Sequence, residues 1–198
     1  MAPIHAVLFD LDGVVRHFDA GYTADIEVEY GLTPGSVLEA AFEPRLLEQV
    51  TTGKISRGAW VDRVGATLGS TTAAEEWGRQ PSTVDTEVLA IVDALRAAGI
   101  RTAILTNGTD TIPAEAAELG LIERFEAIFN SAEIGWAKPD ERAFQHVLDA
   151  LGLEASEVFF TDDSAGTLAG AEALGMPTHH FTSADGFLGA LRAVGVAI

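Results

Sequence analysis

Short apolar runs rich in β-forming residues alternate along much of the chain with stretches whose apolar positions recur at helical spacing. Each run is closed by polar residues or glycine, as expected of buried strands that end in loops. These predicted strands lie at residues 4–9, 102–106, 127–130, 158–161 and 178–181. The predicted helices between them lie at residues 86–98, 113–119, 139–151 and 167–174. This alternation predicts an α/β fold, with a doubly wound parallel sheet of five strands and helices on both faces.

The interval 16–85 breaks the alternation, because it contains no comparable apolar run. Its apolar positions instead predict short amphipathic helices at residues 24–30, 37–41, 46–50, 58–68 and 73–77. We therefore expect a small helical cap at residues 16–85, with residues 78–82 as the linker that returns to the core. The α/β core would comprise residues 1–15 and 86–198.

Composition and charge exclude several classes of protein. The chain has 198 residues, of which 47% are hydrophobic and 21% are charged, so it can bury a core. Thirty acidic residues against twelve basic ones exclude the clustered cations that bind nucleic acid or anionic membranes. The absence of cysteine excludes disulfides, thiolate zinc sites and a cysteine nucleophile. No apolar run reaches the roughly 18 residues of a membrane span, so we expect a cytoplasmic protein.

Pairs of acidic residues follow two of the predicted strands. Asp10 and Asp12 lie two apart after the first strand, so both side chains can point the same way. Asp162 and Asp163 close the fourth strand, and carboxylates this close repel unless a cation lies between them or one is protonated. Such hard oxygen ligands suit Mg²⁺ together with a substrate phosphate, although solvated turns have similar sequences. In an open parallel sheet, ligands bind at this end of the strands.

Two further segments carry candidate chemistry. Thr106, Asn107 and Gly108 end another predicted strand, where a hydroxyl and free backbone amides can hold anionic oxygens, although a simple turn looks the same. Lys138 precedes a helix whose first residue we expect to be Pro139. A cation is disfavoured at that end of a helix, so its position favours a neighbouring anion over a solvated surface lysine.

Together, these segments resemble a known family. Residues 8–15, 105–108, 138–140 and 160–164 are similar to the four ordered motifs of the haloacid dehalogenase-like hydrolases. The insertion after the first motif is similar to that of members with a small helical cap, and the resemblance runs from residue 4 to about residue 181. It implies a Rossmann-like core and a phosphatase-like member. Each motif alone is weak, but the ordered combination is specific.

The resemblance also implies roles for individual residues. Asp10 would be the nucleophile that forms an aspartyl-phosphate, and Asp12 would protonate the leaving oxygen and then activate water. Lys138 would balance the negative charge of the nucleophile and of the phosphoryl group. The phosphoryl oxygens would be held by Thr106 and by the amides near Asn107 and Gly108.

The cofactor implied by the resemblance is Mg²⁺. Its ligands would be carboxylates of the first and fourth motifs together with the Asp12 carbonyl. The implied set is Asp10, Asp12, Asp163 and Asp162, and direct ligation by Asp162 is left open.

Other activities remain as alternatives. Residues 162–171 also look like the corresponding segment of β-phosphoglucomutase-type phosphosugar mutases and of sugar-phosphate phosphatases with similar caps, although Thr167 departs from both patterns. Dehalogenases of the family need no metal and lack the second acid of the first motif, whereas Asp12 is present here. A phosphonatase would need a Schiff-base lysine in the cap, where Lys54 is the only lysine. A non-catalytic binding module is opposed by the presence of every motif residue.

The leading interpretation is a Mg²⁺-dependent phosphomonoester hydrolase that acts on a small phosphorylated metabolite as a monomer or homodimer. Arg16, four residues beyond Asp12, is the first candidate for binding substrate oxygens. Trp60 is expected to pack inside the cap, and His179 and His180 are expected to be structural. All candidates for substrate contact in the cap and the loop before it are polar or aromatic: Arg16, His17, Phe18, Tyr22, Arg45, Lys54 and Trp60.

Overall fold

The computed structural model describes residues 2–198, which form seven strands and eleven α-helices. The strands are β1 (Ala6–Phe9), β2 (Arg16–Phe18), β3 (Ser82–Val84), β4 (Arg101–Thr106), β5 (Ala127–Asn130), β6 (Val158–Asp162) and β7 (Thr178–His180). The helices are α1 (Tyr22–Glu29), α2 (Ser36–Ala41), α3 (Pro44–Thr51), α4 (Arg57–Leu68), α5 (Thr71–Trp77), α6 (Thr86–Ala97), α7 (Ile112–Glu118), α8 (Ser131–Ile134), α9 (Glu141–Leu151), α10 (Ala165–Ala173) and α11 (Ala184–Ala193).

Five strands form one parallel sheet in the order β5-β4-β1-β6-β7, which confirms the predicted α/β fold. The central strand β1 is fully buried, and its Phe9 pairs with Ile104 on one side and Thr161 on the other. Successive side chains of a strand point to opposite faces, so each face carries its own core. Phe9 belongs to one buried cluster, whereas Leu8 packs in the other with Phe144.

Residues 16–85, which we call the cap segment, contain helices α1–α5 close to their predicted positions. Their apolar side chains form a third buried cluster that includes Trp60 and Trp77. The expectation that this segment is helical throughout is wrong at its two ends. There, β2 and β3 pair as a short antiparallel ribbon, and Ser82, assigned to the linker, begins β3. Both strands are short and carry polar residues, so they lack the apolar run that marks a buried strand.

Other elements also differ from the expectation, among them the short helix α8, which was not predicted. The helix predicted to start at Pro139 begins at Glu141, because the Asp140 side chain caps it by accepting a hydrogen bond from the Arg142 amide. The C-terminal helix α11 was not predicted, and its Gly186 and Gly189 are weak helix formers.

Among residues 2–198, no helix combines the length and the apolar character that a membrane crossing requires.

Close packing of α10 against the chain around Pro139 generates a test of the fold. A Cβ on Gly170 would collide with the Pro139 carbonyl oxygen and lie 2.8 Å from Phe144 Cε2. We therefore expect Gly170→Ala to lower the free energy of unfolding in urea by about 1–3 kcal/mol. The matched control is Gly189→Ala on α11, where nothing lies within 4 Å of the added Cβ and alanine favours the helix by roughly 1 kcal/mol. Equal losses in both variants would contradict this packing.

Candidate active site

Three carboxylates meet at the carboxyl ends of two neighbouring strands. Asp10 follows β1, its amide donates to the Thr161 carbonyl at 2.9 Å, and Asp162 is the last residue of β6. Asp10, Asp162 and Asp163 each offer an oxygen within 4.8 Å of the others. Asp10 and Asp162 are buried, whereas Asp163 is exposed. The structure thus brings together three of the predicted site residues.

The loop after β1 lies against the third of these acids. Gly13 has a φ of 88°, in the left-handed region that favours glycine. A Cβ at this position would collide with the Asp163 carboxylate. Glycine therefore lets the Asp12–Gly13 turn approach the acidic cluster closely.

Lys138 is the cation of this cluster. It is 5% exposed, and its Nζ lies 2.7 Å from Asp10 Oδ1 and 2.6 Å from Asp162 Oδ2. The backbone of Lys138 is held by Asn107, whose Oδ1 accepts from the Lys138 amide at 2.7 Å and whose Nδ2 donates to its carbonyl at 2.8 Å. The solvated-lysine alternative is therefore wrong. This backbone contact from Asn107 was not predicted, and no local sequence signal marks it.

The cluster carries more negative charge than one lysine balances. Burial raises the pKa of Asp10 from 3.8 to about 7, with the charges of Asp162 and Asp12 adding to the rise and Lys138 opposing it. Burial and the charge of Asp162 also raise the pKa of Asp163. Clustered carboxylate oxygens with excess negative charge fit a hard divalent cation such as Mg²⁺.

Arg16 is occupied by two carboxylates. Its Nε lies 2.6 Å from Asp12 Oδ1 and its Nη2 lies 3.0 Å from Asp12 Oδ2, while Nη1 contacts Glu115 Oε2 at 2.6 Å. The side chain is buried, and every nitrogen of the guanidinium has a carboxylate partner. Arg16 therefore orients Asp12 in this structure, and its expected contact with substrate oxygens stays a prediction.

Glu115 joins the cap segment to this pair. Its Oε1 accepts hydrogen bonds from Thr111 at 2.6 Å and from Arg57 Nη1 at 3.0 Å, and Arg57 starts helix α4 of the cap segment. Arg57 also donates to the Gly78 carbonyl, and its amide donates to Asp110 Oδ1 at 2.7 Å. Neither Glu115 nor Arg57 was predicted, because both contacts join residues far apart in a chain rich in acids.

Thr106 and Gly108 lie at and just after the carboxyl end of β4. Thr106 is the buried last residue of β4, which pairs with β1. Gly108 and Asn107 line a cavity of about 650 Å³ between the cap segment and the core. Because the Asn107 side chain is bonded to Lys138, its backbone amide rather than its side chain stays available to an anion.

Of the remaining candidates for substrate contact, some line the cavity and the others lie elsewhere. Phe18 and Trp60 line the cavity, and Trp60 is also buried in the cap cluster, as expected. His17 contacts Asp85 at 2.9 Å, and Tyr22 donates to the Glu76 carbonyl at 3.3 Å. Exposed Lys54 contacts Glu48 at 2.6 Å, and Arg45 lines a separate groove on the cap segment.

The two histidines have packing and hydrogen-bonding roles. His179 Nδ1 lies 3.1 Å from Thr161 Oγ1, and its ring stacks with Phe159 and packs against Phe187. His180 Nε2 lies 2.9 Å from the Asp163 carbonyl oxygen. These contacts agree with the structural role expected of both.

Removing the buried ammonium group of Lys138 tests how much this side chain contributes to the stability of the fold. We expect Lys138→Met to lower the free energy of unfolding by about 3–5 kcal/mol, because Asp10 and Asp162 would be left as unpaired buried acids. Adding Asp10→Asn to Lys138→Met should recover part of the loss, since one of the acids is then neutral. Lys54→Met is the matched control, with little or no effect expected from an exposed ion pair. Urea unfolding measures all three, and equal stability of the two lysine variants would contradict the assignment.

The link between Glu115 and its two arginines predicts a pH dependence. Burial works to raise the pKa of Glu115, but the hydrogen bonds from Thr111 and Arg16 outweigh it and hold the pKa below 4.5. A carboxylate with a lowered pKa stabilises the fold above its ordinary pKa and loses that contribution as the pH falls. We expect Glu115→Gln to cost about 1–2 kcal/mol at pH 7, with the difference from wild type shrinking below pH 4.5. The control is exposed Glu118→Gln on the same helix, and a pH-independent loss for Glu115→Gln would contradict the linkage.

Comparison with known proteins agrees with this geometry. Residues 4–175 match the model of the haloacid dehalogenase-like hydrolase family. Rat bifunctional epoxide hydrolase 2 is 28% identical over 201 residues, covering 88% of this chain and 36% of the relative. An (S)-2-haloacid dehalogenase from Pseudomonas sp. is 37% identical over 93 residues, covering 46% of this chain and 41% of the relative. The chain therefore spans about two-fifths of the length of these two relatives.

Other matches extend over more of the relative's length. Phosphoglycolate phosphatase from Rhodospirillum rubrum is 28% identical over 192 residues, covering 87% of this chain and 77% of the relative. A HAD family enzyme from Bacteroides thetaiotaomicron, solved with magnesium and inorganic phosphate, superposes with a TM-score of 0.75 at 23% identity, covering 90% of this chain and 94% of that one. This structural likeness shows a shared fold. Because the family match extends over most of the sequence, the chain belongs to the haloacid dehalogenase-like hydrolases.

Proposed function

We propose that the protein is a Mg²⁺-dependent phosphomonoester hydrolase that acts through an aspartyl-phosphate on Asp10. The observation that carries the proposal is the buried Asp10 carboxylate, held by Lys138 within a cluster of oxygen ligands. Similarity to a phosphoglycolate phosphatase, and to an enzyme solved with magnesium and inorganic phosphate, supports this activity.

The hydrogen bonds of Asp10 suit a nucleophile. Its Oδ1 accepts from the Leu11 amide at 2.7 Å and lies 2.7 Å from Lys138 Nζ, whereas no donor in residues 2–198 contacts Oδ2. The carboxylate is thus fixed by one oxygen and can attack with the other. In the proposed first step Oδ2 forms a bond to phosphorus while the bond between phosphorus and the leaving oxygen breaks.

Asp12 is proposed to move the proton in both steps. It gives a proton to the leaving oxygen, then takes one from the water that attacks phosphorus and frees Asp10 and phosphate. Its side chain is 42% exposed and lines the cavity, so it can reach a bound ester. The two contacts from Arg16 fix the orientation of the Asp12 carboxylate, and one of them must open before Asp12 can carry the proton that it transfers.

The other predicted site residues are proposed to bind the phosphoryl group or Mg²⁺. Lys138, the Thr106 hydroxyl and the amides of Asn107 and Gly108 would hold the phosphoryl oxygens, because phosphoryl transfer depends on positioning and charge stabilisation. Bound by the carboxylates of Asp10 and Asp163 and the Asp12 carbonyl, Mg²⁺ would supply the positive charge that shields the nucleophile from the substrate dianion. 

Asp162 is proposed mainly to orient Lys138. Its Oδ2 accepts from Lys138 Nζ at 2.6 Å, and its Oδ1 accepts from the Ser164 amide at 2.8 Å. Both oxygens are therefore already hydrogen-bonded, which makes Asp162 a weaker metal ligand than Asp10 or Asp163.

The nucleophile is tested by release of inorganic phosphate from an aryl phosphate, with and without Mg²⁺. We expect Asp10→Asn to reduce kcat by at least about a thousandfold, because the amide cannot form the acyl phosphate. The control is Asp62→Asn at an exposed position of α4, with wild-type turnover expected. Retention of most Mg²⁺-dependent activity by Asp10→Asn would contradict the proposal.

The alternatives are separated by their products. Halide release from 2-chloropropionate without added metal would favour a dehalogenase. Isomerisation of a sugar phosphate that requires a bisphosphate primer would favour a mutase. We expect neither in the wild-type protein.

A further inference from the structure

The cavity between the cap segment and the core is placed to bind the leaving group of a phosphate monoester. Its core wall includes Asp12, Asn107 and Gly108, and it has a volume of about 650 Å³. Asn107 is bonded to the backbone of Lys138, whose Nζ contacts Asp10. A phosphoryl group beside Asp10 would therefore direct its ester substituent into this cavity, so the inference rests on the proposed function.

Large apolar side chains gather at this cavity. Six large hydrophobic residues are exposed in the described part of the chain, and Phe18, Leu38 and Phe42 all line this one cavity, with exposures of 42%, 45% and 51%. Trp60 and Trp77 extend the apolar wall, with ring centroids 5.2 Å apart in an edge-to-face arrangement. Single exposed apolar residues are normal, but a cluster at a cavity indicates a binding surface.

The charged side chains nearest to the catalytic residues bind one another. Asp12 and Arg16 form a double contact, and Glu115 bridges Arg16 and Arg57. The remaining charged residues of the wall, Arg79 and Glu118, are exposed. Of the six charged residues that line the cavity, four are therefore engaged with one another, and Arg79 and Glu118 stay free to contact a substrate.

Several polar side chains of the wall, though not Thr23 or Ser82, also form hydrogen bonds within the protein. Thr51 donates to the Leu47 carbonyl at 2.9 Å, and Gln80 donates to the Asp19 carbonyl at 2.8 Å. The hydroxyls of Thr109 and Thr111 lie 2.8 Å apart. The donors of Thr51 and Gln80 are therefore used within the protein, which leaves a substrate's hydroxyls fewer partners here than water offers them.

We infer that the substrate is a phosphate monoester whose leaving group is apolar, an alkyl or aryl alcohol, rather than a polyhydroxylated sugar. Each methylene transferred from water to an apolar wall favours binding by about 0.8 kcal/mol when fully buried. Full burial corresponds to a roughly fourfold gain in kcat/KM for each methylene, so the partial burial of an open cavity corresponds to about a two- to threefold gain.

The test measures phosphate release by the wild-type protein with Mg²⁺ across ethyl, butyl and hexyl phosphate. Hexitol phosphate is the matched comparison, since it has the carbon count of hexyl phosphate but carries hydroxyls. We expect kcat/KM to rise by about two- to threefold per methylene. We also expect hexyl phosphate to exceed hexitol phosphate by at least about tenfold.

Variants locate the preference in the cavity. Phe42→Ala should lower the hexyl-to-ethyl ratio of kcat/KM by about three- to tenfold, whereas Phe42→Leu should keep most of it because the apolar surface remains. The control is Val28→Ala, which removes an 81% exposed apolar side chain of α1 outside this cavity and should leave the ratio unchanged.

The possible failures are distinct. No phosphate release from any ester, aryl phosphate included, would overturn the proposed function itself. Release at rates independent of chain length, or faster release from hexitol phosphate, would leave the phosphatase standing and overturn the apolar leaving group. A hexyl-to-ethyl ratio that Phe42→Ala and Val28→Ala change equally would overturn the placement of the leaving group at Phe42.

Discussion

The bridge from Lys138 to Asp10 and Asp162 is the interaction on which the site depends. It places one ammonium group between two buried carboxylates at the ends of neighbouring strands. Buried charges of one sign are tolerated only with a partner of the other sign, and here two buried acids and the exposed Asp163 meet one lysine. The surplus of negative charge is what makes a divalent cation chemically appropriate, and the same charge would repel a phosphate if no cation were bound. The parallel sheet serves this arrangement by bringing the end of β1 next to the end of β6.

A second set of charges connects that site to the cap segment. Arg57 lies at the start of α4 and donates to Glu115. Glu115 also accepts from Arg16, which in turn donates to Asp12. The proposed proton donor is thus oriented by a chain of ion pairs that begins outside the core. The same residues neutralise one another along the wall of the cavity, which leaves its aromatic and aliphatic side chains to define the surface offered to a substrate.

The fold and the centre of the site could be predicted because both follow from local patterns. The strands are recognisable in the sequence as apolar runs. Because the carboxyl ends of parallel strands lie at one edge of the sheet, Asp10 is predicted to lie near Asp162. Lys138 was identifiable from its unfavourable place before a helix, although that helix begins at Glu141. Glu115 and Arg57 could not be found this way, since their contacts depend on how the cap segment packs against α7. The β2–β3 ribbon was missed because its stability comes from pairing across the segment and not from an apolar run.

The central claim is that phosphoryl transfer passes through Asp10, and the most direct measurement is chemical trapping of the intermediate. The protein is mixed with an aryl phosphate and Mg²⁺, stopped within a single turnover and reduced with borohydride, which converts an aspartyl-phosphate to homoserine. Mass analysis of the peptide that contains Asp10 should show homoserine at that position. Phosphate release with Asp10 unmodified at every time point would contradict the account.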